Sequence, residues 1–268
     1  MTYKNLVVHV DDSKGCAGRV EAAIRLASAH GAHLTGLYLM DIAPRMPTGD
    51  RSARDNADAA AARFQSAVDA AGISGEVRVE SGFDTEFPNI LSVHGRYADL
   101  VMLGQADPDD HAEGAQELPE LVVMGSGRPV LIVPYIGAPA GLGERVTIAW
   151  DASREAARAV ADAMPILEQA KAVTVVSVNP RRQQFGHGEE PGADIGLHLA
   201  RHDIKVEVQR LESRDVDVAN TLLSHIADQS SDLLVMGGYG HSRLRELVLG
   251  GVTRTILESM TIPALMSH

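Results

Sequence analysis

The stretch "NLVVHVDDS" (Asn5–Ser13) reappears half a chain later as "RVTIAWDAS" (Arg145–Ser153), each a short apolar run closing on Asp-x-Ser. Three further pairs follow in the same order: "RVESGFD" (Arg78–Asp84) with "RLESRDV" (Arg210–Val216), "ADLVMLG" (Ala98–Gly104) with "SDLLVMGG" (Ser231–Gly238), and "RPVLIVP" (Arg128–Pro134) with "IPALMSH" (Ile262–His268). Order and spacing together mean that one unit occurs twice. The Gly/Pro/Ala segment "YIGAPAGLGE" (Tyr135–Glu144) has the composition of a linker. Domains are therefore expected over 1–138 and 144–268.

Within each copy, β-rich runs alternate with helical patterns. Strands are expected near Leu6–Val10, Leu34–Leu39, Val77–Val79, Leu100–Leu103 and Val130–Val133, then near Val146–Ala149, Val173–Val178, Lys205–Gln209, Leu233–Met236 and Pro263–Met266. Between them, Val160, Ala163, Met164 and Leu167 share a helical face, as do Ala219, Leu222, Leu223 and Ile226. Pro165 is expected to kink or end the first of these helices. The Ala-rich run Ser52–Gly72 is a further helix. Alternation of this kind implies right-handed βαβ units, so the fold class is α/β: two tandem open parallel five-stranded sheets with helices on both faces, Rossmann-like. In such sheets ligands sit beyond the carboxyl ends of the strands, where Asp11, Gly104, Asp151 and Gly237 fall.

The segment "LVMGGYGHSRLRELVLGGVTRTIL" (Leu234–Leu257) holds five of the chain's glycines between Gly237 and Gly251. Glycines at a strand-to-helix turn let peptide N–H groups converge on an anion, and the following helix adds its positive end. His241, Ser242 and Arg243 are candidate side-chain donors, and Thr253 is a candidate phosphate ligand or helix cap. The pattern is neither a Walker A loop nor the dinucleotide G-x-G-x-x-G. The plain alternative is a tight turn with close helix packing.

Asp-x-Ser after the first strand, with Gly237-x-x-Gly240, nine residues and Gly250 closing a five-stranded unit, resembles the universal stress protein (UspA) family. The resemblance implies an adenine-nucleotide alpha-hydrolase-like fold and a stress-response regulatory module in the cytoplasm. It implies ATP as ligand, alone or with Mg²⁺, and a homodimer of tandem chains. It also implies a site of Asp151 beside the adenosine, Val178 near the adenine, and Gly237, Gly240, Gly250, Gly251 and Val252 around ribose and phosphates. Two departures stand out: Gly251 occupies the usual Ser/Thr place, and the first copy replaces its glycine loop with "QADPDDHAEGAQELPEL". Asp107, Asp109 and Asp110 there would repel a triphosphate. Nucleotide is expected in the second copy alone. A nucleotide-free scaffold, a slow ATPase and a nucleotidyl transferase are the rival functions, and no residue stands out as a catalyst.

Net charge is −12 with Lys and Arg scattered, which excludes the basic stripe of a nucleic-acid surface. Apolar residues make up 45%, yet no run approaches bilayer length. The N-terminus enters a strand at once, with no signal-peptide pattern. Cys16 is the chain's one cysteine and reads as a small apolar filler, with an activated thiol as the alternative. Asp11 reads as a helix cap, and Asp151 as cap and ligand residue together. His198 and His202, four apart, read as a solvated helix face without a third metal ligand. His30 and His33 read as the polar end of a helix, and His187–Asp194 as a solvated acidic loop.

Overall fold

The computed structural model describes residues 2–42, 49–108, 116–180, 190–213, 216–239 and 251–268. Two compact units emerge, Thr2–Ala138 and Pro139–His268. In the first, the elements run β1 (Asn5–Val10), α1 (Cys16–His30), β2 (His33–Asp41), α2 (Gly49–Ala71), β3 (Gly75–Gly82), α3 (Phe87–Gly95), β4 (Leu100–Gly104), α4 (Leu118–Ser126) and β5 (Val130–Val133). In the second they run β6 (Arg145–Ala149), α5 (Arg154–Leu167), β7 (Ala172–Val178), α6 (Ala193–Ala200), β8 (Val206–Leu211), α7 (Val218–Asp228), β9 (Leu233–Gly237), α8 (Gly251–Ser259) and β10 (Ala264–Ser267).

Both units have the same strand order, β3-β2-β1-β4-β5 and β8-β7-β6-β9-β10, with every pair within them parallel. The central strands are buried along nearly their whole length, and β4, β5 and β9 read "LVML", "VLIV" and "LLVM". Such continuous apolar runs are what strands covered on both faces require. The outer strands β3 and β8 are only partly buried, and charged residues alternate along them. Strand order reverses beside β1 in the first unit and beside β6 in the second, which puts the crevice of each sheet at those carboxyl ends.

Local sequence explains the helix boundaries. Gly31 ends α1 in the left-handed conformation, φ 60°, with its N–H returning to the last helical carbonyls. Ser153 caps α5, its Oγ accepting the Ala156 N–H at 3.1 Å, and Asp217 caps α7 by accepting Asn220 N–H at 2.9 Å. The helix α5 runs through Pro165 and stops at Leu167, so the proline sits in the last turn and helps to end it. Val160, Ala163, Met164 and Leu167 are all buried. On α2, Ala57, Ala60, Phe64 and Val68 face the sheet, and the Phe64 ring lies against Gly36 of β2 so closely that a Cβ there would meet it at 2.9 Å.

A matching aspartate tether starts both sheets. The Asp99 carboxylate, just before β4, accepts the N–H groups of Lys4 and Asn5 at 2.6 and 2.9 Å. Asp232, just before β9, accepts those of Gly143, Glu144 and Arg145 at 2.9 to 3.1 Å. These are the aspartates of the repeated "AD" and "SD" pairs. Each ties the amino edge of its sheet at the central strand pair.

Candidate functional site

Three strand ends lie side by side in the second unit. Ala149 of β6 is level with Val176 of β7 and Met236 of β9, so Asp151, Val178 and Gly238 all lie two residues past that shared level. The turn from β6 into α5 is tightly specified. Ala152 adopts φ 61°, a left-handed conformation unusual for alanine, between an Asp151 whose Oδ1 accepts the Ser153 N–H at 2.9 Å and a Ser153 that caps the helix. Trp150 N–H donates to Val176 O at 2.8 Å, and Ser177 Oγ donates to Trp150 O at 2.9 Å, locking the same turn to β7. Asp151 is exposed, and the Ser153 amide is its one hydrogen-bond partner among the described residues. The cap of α5 is thus Ser153 rather than Asp151.

On the other side, Gly237 is pressed against the first turn of α5. A Cβ at Gly237 would meet Ala156 N at 2.5 Å and Glu155 C at 2.7 Å, both backbone atoms that cannot swing aside. Close packing therefore accounts for this glycine without any ligand. Gly238 N–H donates to Ser267 O at 2.9 Å, and a ring nitrogen of His268 lies 3.1 Å from Gly238 O. Arg154, Glu155, Arg158 and His268 line an open hollow of about 360 Å³ beside these residues. Glu155 is buried and paired with Arg154, while Arg158 pairs with Asp162 at 2.8 Å.

Of the other expected site residues, Val178 is half-buried at the end of β7, next to Asn179 at φ 46°. The α8 helix opens with Gly251, which has open space around it, followed by a part-exposed Val252 and a buried Thr253. Gly240, His241, Ser242, Arg243 and Gly250 lie outside the described residues, as do Asp109 and Asp110 of the first copy.

The first unit answers the same position differently. Arg19, 3% exposed, extends from α1 under the carboxyl end of β1: its Nε donates to His9 O at 2.7 Å, and its Nη2 lies 2.7 Å from Asp11 Oδ2. That second approach is an ion pair out of line for a hydrogen bond. Gly104 at the end of β4 leaves room for the guanidinium, since a Cβ there would fall 2.0 Å from Arg19 Nη1. Asp11 also accepts Ser13 N–H and Oγ–H at 3.0 and 2.6 Å. Burial pushes the Asp11 carboxyl up, but Arg19, His9 and Ser13 outweigh it and hold the group at about 2. Burial, opposed by Asp11 and helped by Arg19, lowers the buried His9 to about 4.

Asp11 is therefore not the helix cap expected of it, because Gly15 holds the N-cap position of α1 and no side chain caps it. Sequence reading missed Arg19. Its signal was available: Arg19 shares a face with Ala23, Leu26 and His30, all buried, and the repeat sets Ala159 against it. Other expectations also change. His30 is buried, edge-on to Tyr3 at 4.9 Å between ring centroids, rather than a polar helix end. His202 lies past the end of α6, its ring against that of His198, and no group of three metal-binding side chains occurs among the described residues. Burial raises the Cys16 thiol, against an activated thiol. Of the acidic loop, Ala193 and Asp194 begin α6, and 187–189 lie outside the described residues.

The geometry defines a class: duplicated open α/β units whose crevices lie at the ends of β1 and β6. The model of the universal stress protein family matches residues 143–268, and a 67-residue stretch is 36% identical to Universal stress protein Slr1230 of Synechocystis sp. (strain ATCC 27184 / PCC 6803 / Kazusa). The second unit, residues 143–268, is what matches the universal stress protein family. The matched stretch is 25% of this chain and 22% of that relative, so it speaks for only part of either. In fold, a universal stress protein from Archaeoglobus fulgidus DSM 4304 superposes with TM-score 0.77 over 98% of this chain and 95% of its own, at 16% identity. A functionally unknown protein from Pseudomonas aeruginosa PAO1 gives TM-score 0.61 over 99% and 92%, at 15% identity. Among the described residues no helix is long and apolar enough to cross a membrane.

Proposed function

We propose that the chain is a stress-response regulatory module that binds an adenine nucleotide, ATP foremost, in its second unit and none in its first. One contrast carries this reading. The strand-end aspartate of the first unit is taken by Arg19, whereas Asp151 is exposed, with Ala149 and Ala159 standing where the first unit has His9 and Arg19. Asp151 offers a carboxylate to a ribose or adenine donor. The neighbouring hollow offers Arg154 and Arg158 to phosphates. The glycine segment from Gly240 to Gly250 supplies further backbone N–H groups to the nucleotide in this proposal. Bound nucleotide then biases conformation or partner choice, in a cytoplasmic homodimer of tandem chains.

Equilibrium dialysis with labelled ATP tests it. One nucleotide per chain is expected, with affinity lowered about tenfold or more by Asp151→Ala, the loss of a hydrogen bond to a charged group. Asp11→Ala should leave binding unchanged. Two nucleotides per chain, or binding indifferent to Asp151→Ala, overturns the assignment. A second reading, a nucleotide-free scaffold, draws support from Gly237 and Gly104, each of which has a packing partner that explains it. Absence of ATP binding by the wild-type chain would favour that reading.

A further inference from the structure

The first unit contains a hollow that reaches from the carboxyl end of β1, where Val10, Asp12 and Ser13 line it, to the sides of two helices. It opens between the sides of α1 and α2, with a volume of about 330 Å³. Cys16, Ala17, Val20 and Ile24 line it from α1, and Ala60, Phe64 and Ala67 from α2. Voids in packed interiors rarely exceed a water molecule, whereas ligand pockets start near about 300 Å³. The hollow belongs to this unit's own sequence, since the repeat sets Trp150 against Val10 and Met164 against Ile24.

Charge at the mouth narrows what fits. Asp12, Glu21 and Arg63 are the charged groups there. Arg63 Nη2 lies 3.4 Å from Asp12 Oδ1, Tyr38 donates its hydroxyl to Asp12 Oδ2 at 2.7 Å, and Arg25 pairs with Glu21 at 2.6 Å. Each rim carboxylate thus has a cationic partner, Arg63 for Asp12 and Arg25 for Glu21, over walls that are mostly hydrocarbon with one aromatic ring, the Cys16 side chain and Ser13. We propose that this hollow is a binding site for a small uncharged apolar molecule, ring-bearing and carrying at most one hydrogen-bond donor for Asp12, separate from any nucleotide site.

The single cysteine makes the test direct. Prodan, an uncharged naphthalene whose emission shifts in apolar surroundings, is titrated into the full chain while alkylation of Cys16 by iodoacetamide is followed at mildly alkaline pH. Saturable binding is expected at one site. Probe at about ten times its Kd should slow alkylation about tenfold, because only the unoccupied fraction exposes the thiol. Ala67→Leu, which fills the hollow from α2, should abolish both the emission shift and the protection. Ala17→Leu serves as a second filling variant, and circular dichroism verifies that at least one of them is folded. Excess ATP should displace nothing. No saturable binding, binding that leaves Cys16 unprotected, or undiminished binding by the folded filling variants overturns the proposal. Displacement by ATP overturns it too, because the hollow would then be the nucleotide site.

Discussion

Arg19 Nη2 lies 2.7 Å from Asp11 Oδ2, an ion pair made at the carboxyl end of β1. A buried guanidinium is tolerable only while its partner stays charged. Asp11→Asn should therefore destabilise the first unit by about 3 kcal/mol, read as a lower urea midpoint. The double variant Asp11→Asn with Arg19→Met should recover most of that loss, since the stranded charge is gone. Equal destabilisation by the double variant would mean that the pair is not what holds this corner.

Acid should weaken the first unit in two steps. His9, held at about 4 against 6.5 when free, binds fewer protons folded than unfolded, so stability falls as pH drops from 6.5 through 4. Asp11, held at about 2 against 3.8, contributes stability that is full above 3.8 and lost as pH falls toward 2. Urea unfolding at stepped pH should show the upper step shrink in His9→Gln while the lower step stays. Burial lowers His30 too, and that group keeps part of the upper step. A curve unchanged by that substitution would contradict the assignment of His9.

Gly237 and Gly251 should respond oppositely to alanine. At Gly237 the new Cβ meets the α5 backbone, and the forced shift should cost about 1–3 kcal/mol. At Gly251, the first residue of α8, nothing lies within 4 Å, so alanine should be neutral or slightly stabilising. Thermal melts of the two variants measure the difference.

Asp232→Ala removes the acceptor for three amides that precede and begin β6. A loss of about 3 kcal/mol is expected, the value of hydrogen bonds to a charged acceptor. Amide hydrogen exchange should quicken first at Gly143–Arg145. Exchange that stays slow there would mean the tether is replaced by water at no cost.

The repeat, the ten strands and the α/β class were legible because buried parallel strands demand unbroken apolar runs, and these stand out against charged helices. β3 was read short, as Val77–Val79, since Glu76, Arg78 and Glu80 mask an outer strand that spans Gly75–Gly82. Arg19 escaped notice for a related reason: periodicity treats arginine as a surface residue, and only its ion pair with Asp11 reveals that it is buried. Gly237 was legible as a special position, but not which neighbour made it so. That neighbour is the backbone of α5, brought in by folding and invisible in local sequence. Gly240 through Gly250, on which the phosphate reading chiefly rested, fall outside the described residues.

The matched aspartates Asp99 and Asp232 fasten the same border of each sheet, while at the opposite border the copies share Asp-x-Ser but set His9 and Arg19 against Ala149 and Ala159. The repeated fastening and the side chains that vary thus stand at opposite ends of the strands. A protein engineer who exchanges residues at the far end, an arginine like that of α1 included, would leave the shared fastening at the near end untouched.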